Sequence, residues 1–413
     1  MDTPRKASIA DKLKSLGVDR GTAHLLRDQP GPDSFSIDSV VAGSFSPTTR
    51  GDVFIAEQSF THEHRHGDTF LLPARPLSLI AQWAGDPKVS DLPITRFAFL
   101  DTETSGLAGG TGTYAFLIAA ARFVDGNFVL KQFFMRDPAE EPALLEGLAT
   151  FLAPCESLVT FNGKAFDAPL LSTRYRMHHI PIPYKEYSHL DLLPLARRLW
   201  RDRLESRALK YLEEHVLGMK RTSEEVPGYE IPWLYFDYLR NGDARPLAGV
   251  FYHNAMDVVA MAALLTHMND MIETPYEGRV QHGLDFIALG KLLEDLGHVE
   301  DAARLYERGL ELGVDESDFG VAVKRLAVLQ KRRGEFEEAV RLWKKAAKQG
   351  HIYAHIELAK FYEHRERDVK RALKWVLSAR REVERADLPA YMRKHWLDEI
   401  ERRLVRLERK DGL

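Results

Sequence analysis

Two carboxylates, Asp101 and Glu103, stand two residues apart in "FAFLDTET", at the end of an apolar run. On a strand, side chains at i and i+2 share one face, so the two project together. Like charges placed side by side repel, and the arrangement calls for a cation; hard oxygen ligands suit Mg²⁺ or Mn²⁺. A strand that merely ends in solvent with two acids is the plain alternative. In "TFNGKAFD", Asp167 opens a helix, where a carboxylate also caps free backbone N–H groups. In "PLAGVFYHNAMDVVAMAALL", the apolar face of a helix is interrupted by Asp257 and, one turn earlier, by His253. Residues four apart lie on one helix face, so these two side chains point together. A His–Asp pair serving packing alone is the alternative there.

The elements that must carry these residues begin near residue 91. "RFAFLDTE", "TYAFLIAAARF" and "FVLKQFFMR" read as three strands of an antiparallel meander, the last two joined by the hairpin signal "VDGN". "EPALLEGLATFLA" has helical periodicity, "SLVTFN" is a short apolar strand, and helices continue to about residue 270. A meander followed by alternation predicts an α/β fold on a mixed sheet. Before it, residues 1–90 hold a short amphipathic helix, a turn-rich stretch and a strand pair expected around "GDVFIAEQSF" and "DTFLLPARPL". In "THEHRHG", His62, His64 and His66 alternate as one strand face would, but a polar hairpin loop explains them without a metal. After it, residues 276–413 read as helical and repetitive. Gly297 aligns with Gly334, Ala302 with Ala339 and Gly313 with Gly350, each pair 37 apart, and Ala372 follows Ala339 by 33. These periods bracket the roughly 34 residues of a tetratricopeptide helix pair, and the segment resembles that repeat family.

Taken together, "DTET", "FNGKAFD" and "HNAMD" resemble the three motifs of the DEDD exonucleases of the ribonuclease-H-like superfamily. The stretch from "HLDLLPLARRLW" through "LKYLEEHVLG" to "HNAMD" resembles the bacterial YprB-like ribonuclease-H-like domain proteins, over roughly residues 95–270. The resemblance implies a ribonuclease-H-like mixed sheet in residues 91–275 and a metal-dependent 3′–5′ exonuclease acting on DNA or RNA. It further implies two divalent metal ions held by Asp101, Glu103, Asp167 and Asp257. In the tyrosine branch of that superfamily the general base sits four residues before the last aspartate, in the histidine branch five. Here those positions hold His253 and Tyr252, a departure from both patterns. Helical geometry favours His253, because Tyr252 is turned about 140° away from Asp257. Asn162 and Lys164, just before Asp167, are candidates to touch a phosphate or sugar.

Composition limits the other classes. With 413 residues, 45% hydrophobic and 29% charged, the chain reads as an ordinary multidomain protein with no apolar run that reads as membrane-spanning. The single cysteine, Cys155, forms no internal disulfide, which agrees with a reducing, cytoplasmic location. A net charge of -4 hides local asymmetry: Arg197, Arg198, Arg201, Arg203, Arg207 and Lys210 cluster after "HLDLL", as a phosphate-tracking stripe or as a solvated helix face. The expected partner is nucleic acid, with a single-stranded 3′ end, and a protein partner is possible through the tetratricopeptide-like segment. Two alternatives stand beside the exonuclease: a non-catalytic nucleic-acid-binding scaffold, and a structure-specific endonuclease.

Overall fold

The computed structural model describes residues 35–106, 112–222 and 225–411. The expected N-terminal helix and the middle of the glycine run after Glu103 lie outside those residues. The chain forms two compact units, one comprising the residues up to Arg197 with Glu205–Thr274, the other Arg198–Leu204 with Pro275–Leu413.

The first unit is built on a seven-stranded mixed sheet. In chain order its strands are β1 (Ser44–Thr48), β2 (Gly51–Phe60), β5 (Phe97–Thr104), β6 (Ala115–Val124), β7 (Asn127–Phe134), β8 (Ser157–Thr160) and β9 (Ser188–Asp191). A separate hairpin pairs β3 (Arg65–His66) with β4 (Thr69–Phe70). The order across the sheet is β1-β2-β7-β6-β5-β8-β9. β5, β6 and β7 form the expected meander, and β8 and β9 add on as parallel strands. The "VDGN" turn holds Asp125 at φ 48° and Gly126 at φ 82°, the two left-handed positions of a tight hairpin. From the segment before residue 91, β1 and β2 extend this sheet, with β2 paired along β7. The expected strand pair is also revised, because the partner of "GDVFIAEQSF" is β1 and not "DTFLL".

Helices cover the sheet on both faces. Helix α1 (Glu141–Leu152) packs on one side, where Phe133 meets Phe151. On that side a Cβ at Gly147 would lie 3.1 Å from Val53, so glycine lets helix and sheet close up. The alternate residues of β7 face the opposite helix: Phe134 meets Phe251, and Gln132 bonds the Phe251 carbonyl. That helix follows α2 (Asp167–Met177), α3 (Leu192–Trp200), α4 (Leu209–His215) and α5 (Ile231–Asn241) and is α6, Leu247–Glu273. α6 is long and apolar enough to cross a bilayer by composition, a property the sequence reading passed over. Its apolar residues are instead the core of this unit: Val250, Ala255, Val258, Val259 and Leu265 are all buried.

The second unit contains seven labelled helices among the described residues: α7 (Gly283–Asp295), α8 (Val299–Leu312), α9 (Glu316–Arg332), α10 (Phe336–Lys348), α11 (Ile352–His364), α12 (Val369–Arg385) and α13 (Ala390–Asp411). The aligned glycines have a backbone reason: Gly297 and Gly334 follow helices α7 and α9 at φ +87° and +83°. Ala302, Ala339 and Ala372 are buried, as small residues between packed helices must be. The basic stripe is largely consumed by acids. Arg203 pairs with Asp285 at 2.7 Å and Arg198 with Asp295 in the helical unit, while Lys210 pairs with Glu225 at 2.7 Å in the sheet unit. Three cations of the stripe are thus engaged by acids of the same chain.

Candidate active site

Asp101 and Glu103 sit at the end of β5, where burial gives way from complete to partial. The pairing with β6 slips there: Glu103 faces Leu117 but Thr104 faces Ala115. A bulge at a strand end re-aims side chains. Asp101 lies opposite Ala119, which leaves room above the sheet for α6. From α6, the buried Asn254 donates through Nδ2 to Oδ2 of Asp101 at 2.9 Å, and its own Oδ1 accepts from Gln132 at 3.1 Å. An amide relay from β7 through α6 thus fixes the first carboxylate.

Asp167 begins α2 and accepts a 2.5 Å hydrogen bond from the Thr102 hydroxyl. The turn before it is set by Asp191, at the end of β9, whose carboxylate accepts from the backbone N–H groups of Asn162 at 2.7 Å, Lys164 at 3.1 Å and Leu193 at 3.1 Å. One carboxylate therefore caps α3 and shapes the "FNGK" turn. Asn162 takes φ +70°, and a Cβ on the neighbouring Gly163 would fall 2.5 Å from Thr160, so the turn tolerates only glycine there. Lys164 is exposed and Asn162 half-buried on this turn.

On α6, His253 and Asp257 face the same group, as their spacing requires. Nε2 of His253 stands 3.7 Å from Oδ2 of Asp257 and 3.9 Å from Oε1 of Glu103. Nδ1 of His253 lies 3.3 Å from Glu225 without hydrogen-bond alignment. Tyr252 turns elsewhere, its hydroxyl accepting from the Thr222 N–H at 3.1 Å. The other oxygen of Asp257 is held by Nη2 of Arg221.

The electrostatics tie the group together. Burial, then the charges of Asp257 and Asp167, push the Asp101 carboxyl well above the usual range, with Asn254 and Arg221 opposing. Burial, then Asp101, Asp257 and Asp167, do the same to Glu103. Asp167 is raised from 3.8 to about 6, chiefly by burial, against the bond from Thr102. Four acids from β5, α2 and α6 thus sense one another in a site short of positive charge. An all-oxygen, electron-rich donor set fits hard divalent cations. Among the described residues, however, no three His, Cys, Asp or Glu side chains close on one point as they stand. Asn254, Thr102 and Arg221 each hold one of the acids, Asp101, Asp167 and Asp257 respectively.

The histidines of "THEHRHG" do not form a metal site: His62 is exposed, His64 packs on Phe60, and the buried His66 bonds Glu213 at 2.6 Å. Asn254, Thr102, Glu225 and Arg221 escaped the sequence reading. Asn254 lay inside a recognised motif with no role attached, whereas Arg221 sits in a polar stretch whose composition gives no signal.

An RNase_H superfamily profile matches residues 98–269, which span every strand and helix just described from β5 to α6. The chain is 36% identical to "Uncharacterized protein YprB" of Bacillus subtilis (strain 168) over 282 residues, 67% of each chain. The chain belongs to the YprB-like family of RNase H-superfamily proteins. Membership accounts for the seven-stranded mixed sheet and associates the first unit with nucleic-acid processing. A structure of the family B DNA polymerase from the hyperthermophilic archaeon Pyrobaculum calidifontis also aligns, at 15% identity and a TM-score of 0.34, covering 58% of this chain. The matched part is 29% of that polymerase, so the chain spans under a third of its length.

Proposed function

We propose that the sheet unit is a divalent-metal-dependent nuclease that removes nucleotides from 3′ ends. The observation that carries the reading is that Asp101 and Glu103 from β5, Asp167 from α2 and Asp257 from α6 come into one buried group, where the charges of Asp257 and Asp167 add to burial in raising Asp101 and Glu103. Buried like charges are costly without a counter-ion, and perturbed acids gather where chemistry needs them. Asp101, Glu103, Asp167 and Asp257 are the residues that would hold the metal, two ions by the family resemblance.

Bound metal would lower the pKa of the attacking water and offset charge developing on the phosphate. The remaining tasks fall to this chain's own groups. Asn254 and Thr102 orient Asp101 and Asp167 from behind, as partners of ligating carboxylates do. His253 turns Nε2 toward the acids, placing that atom to accept a proton from water, a role worth about 10²- to 10⁴-fold in rate. Asn162 and Lys164, on the turn that Asp191 shapes just before Asp167, are the candidates to touch a terminal phosphate or sugar.

A scaffold that binds nucleic acid without cutting it is the second reading, favoured by one observation: Asp257 is already satisfied by Arg221. The two separate in one assay. Single- and double-stranded DNA and RNA, 5′-labelled, are incubated with the protein and Mn²⁺, Mg²⁺ or chelator, beside Asp101→Ala. The nuclease reading expects ladders shortening from the 3′ end, lost with chelator and in the variant. Binding without products supports the scaffold, and a single internal cut supports an endonuclease.

A further inference from the structure

Arg221 is a buried cation inserted directly against a candidate ligand, Asp257. Its side chain is 2% exposed and every guanidinium nitrogen meets a carboxylate. Nε donates to Oε2 of Glu213 at 2.6 Å, Nη1 to Oε1 of Glu225 at 3.1 Å, and Nη2 to Oδ1 of Asp257. Only the last acid belongs to the proposed metal site. The other two anchor the guanidinium from outside, and both are themselves held. Glu213, on α4, bonds Nε2 of His66 at 2.6 Å, both side chains being buried. Glu225 takes Lys210 at 2.7 Å and flanks Nδ1 of His253.

The β3–β4 hairpin closes this frame. Gly67, at φ +60°, leaves no room for a side chain, because a Cβ there would overlap the Leu217 carbonyl. The Asp68 N–H donates to that same carbonyl at 3.1 Å. His66 and Gly67 therefore brace the segment from α4 toward Arg221, which gives "THEHRHG" a purpose that metal binding does not.

We propose that Arg221 is the positioning residue of the carboxylate site: anchored by Glu213 and Glu225, it fixes Oδ1 of Asp257 and leaves Oδ2 as that residue's single metal-ligating oxygen. A guanidinium offers a rigid planar fork that an ammonium does not, so its orientation passes directly to the carboxylate it holds. Partners behind a ligating carboxylate set its direction, and their loss typically weakens metal binding 10- to 100-fold. Each of its three nitrogens already bonds a carboxylate and its side chain is 2% exposed, which shuts Arg221 off from substrate. This inference rests on the metal-dependent reading above.

The test is Mn²⁺ titration calorimetry on the full chain, with unfolding midpoints recorded without metal. Arg221→Gln is expected to weaken Mn²⁺ binding at least 10-fold. Arg221→Lys should restore part of the loss, and His66→Gln, one step further out, should cause a smaller one. A purely structural role would lower the unfolding midpoint while leaving the affinity of the folded protein unchanged, and that result overturns the proposal. Tighter binding in Arg221→Gln overturns it too, since it would make Arg221 a competitor of the metal. If Arg221→Gln does not fold, Arg221→Lys and His66→Gln decide by the same criterion. Wild-type protein that takes up no Mn²⁺ would remove the metal reading and this inference together, whereas uptake that is equal across the variants removes only this inference.

Discussion

Asn254 donates from α6 to Asp101 on β5 at 2.9 Å, while its carbonyl oxygen accepts from Gln132 on β7. It stands between His253 and Asp257 in sequence, so the helix that carries the proposed base and one proposed ligand also orients the proposed ligand of another element. Asn254→Ala leaves the Gln132 amide short of one partner and Asp101 free to rotate. An unsatisfied buried polar group costs about 1–3 kcal/mol. Denaturant melts are expected to show a loss of that size, and the Mn²⁺-dependent rate should fall by roughly 10-fold or more.

Acid should stabilise the metal-free protein. Asp167 has a folded-state pKa of about 6 against an ordinary 3.8, and Asp101 and Glu103 are raised as well. Between those two values the folded state binds more protons than the unfolded one. Stability is therefore present below the lower value and is lost as pH rises through the folded pKa. With chelator, the unfolding midpoint at pH 5 should exceed that at pH 7.5. With saturating Mn²⁺ the order should reverse, because protons then compete with the metal. A chelated protein more stable at pH 7.5 than at pH 5 would show that the acids are not strained.

Glu141, buried at the start of α1, receives Nε of Arg174 at 2.6 Å and Nε2 of His178 at 2.6 Å, joining α1 to α2. Removing one partner of a buried pair leaves an uncompensated charge and costs about 3–5 kcal/mol. Arg174→Met should lower stability by that amount. Because α2 carries Asp167 at its opposite end, the Mn²⁺ affinity of the remaining folded protein should change little. Calorimetric titration beside a urea melt checks both halves.

How far the sequence could be read follows from the range of each interaction. The "VDGN" turn, the meander and the shared face of His253 and Asp257 are local consequences of period and turn chemistry, and they stand in the structure. The pairing of β2 was missed because partners across a sheet depend on topology: β2 lies between β1, across a short turn, and β7, far downstream in the chain. α6 reads as an apolar run whose burial is visible only once the sheet is in place. Hardest of all was the frame around Asp257. His66 and Glu213 are 147 residues apart and Arg221 and Asp257 are 36 apart, and a buried ion pair leaves no pattern in either partner's neighbourhood. For the basic stripe, clustered cations suggested a phosphate track or a solvated helix face, and the structure adds what composition does not show, the acids that engage Arg198, Arg203 and Lys210.

The central claim is that Asp101, Glu103, Asp167 and Asp257 hold divalent metal between them. Crystals of the protein soaked in Mn²⁺ and measured at the manganese absorption edge test it directly. The account expects two anomalous peaks about 3.5–4 Å apart, each within about 2.5 Å of oxygens from these four side chains, with both lost in Asp101→Ala. No peak at this site, or peaks that persist unchanged in the variant, would contradict it.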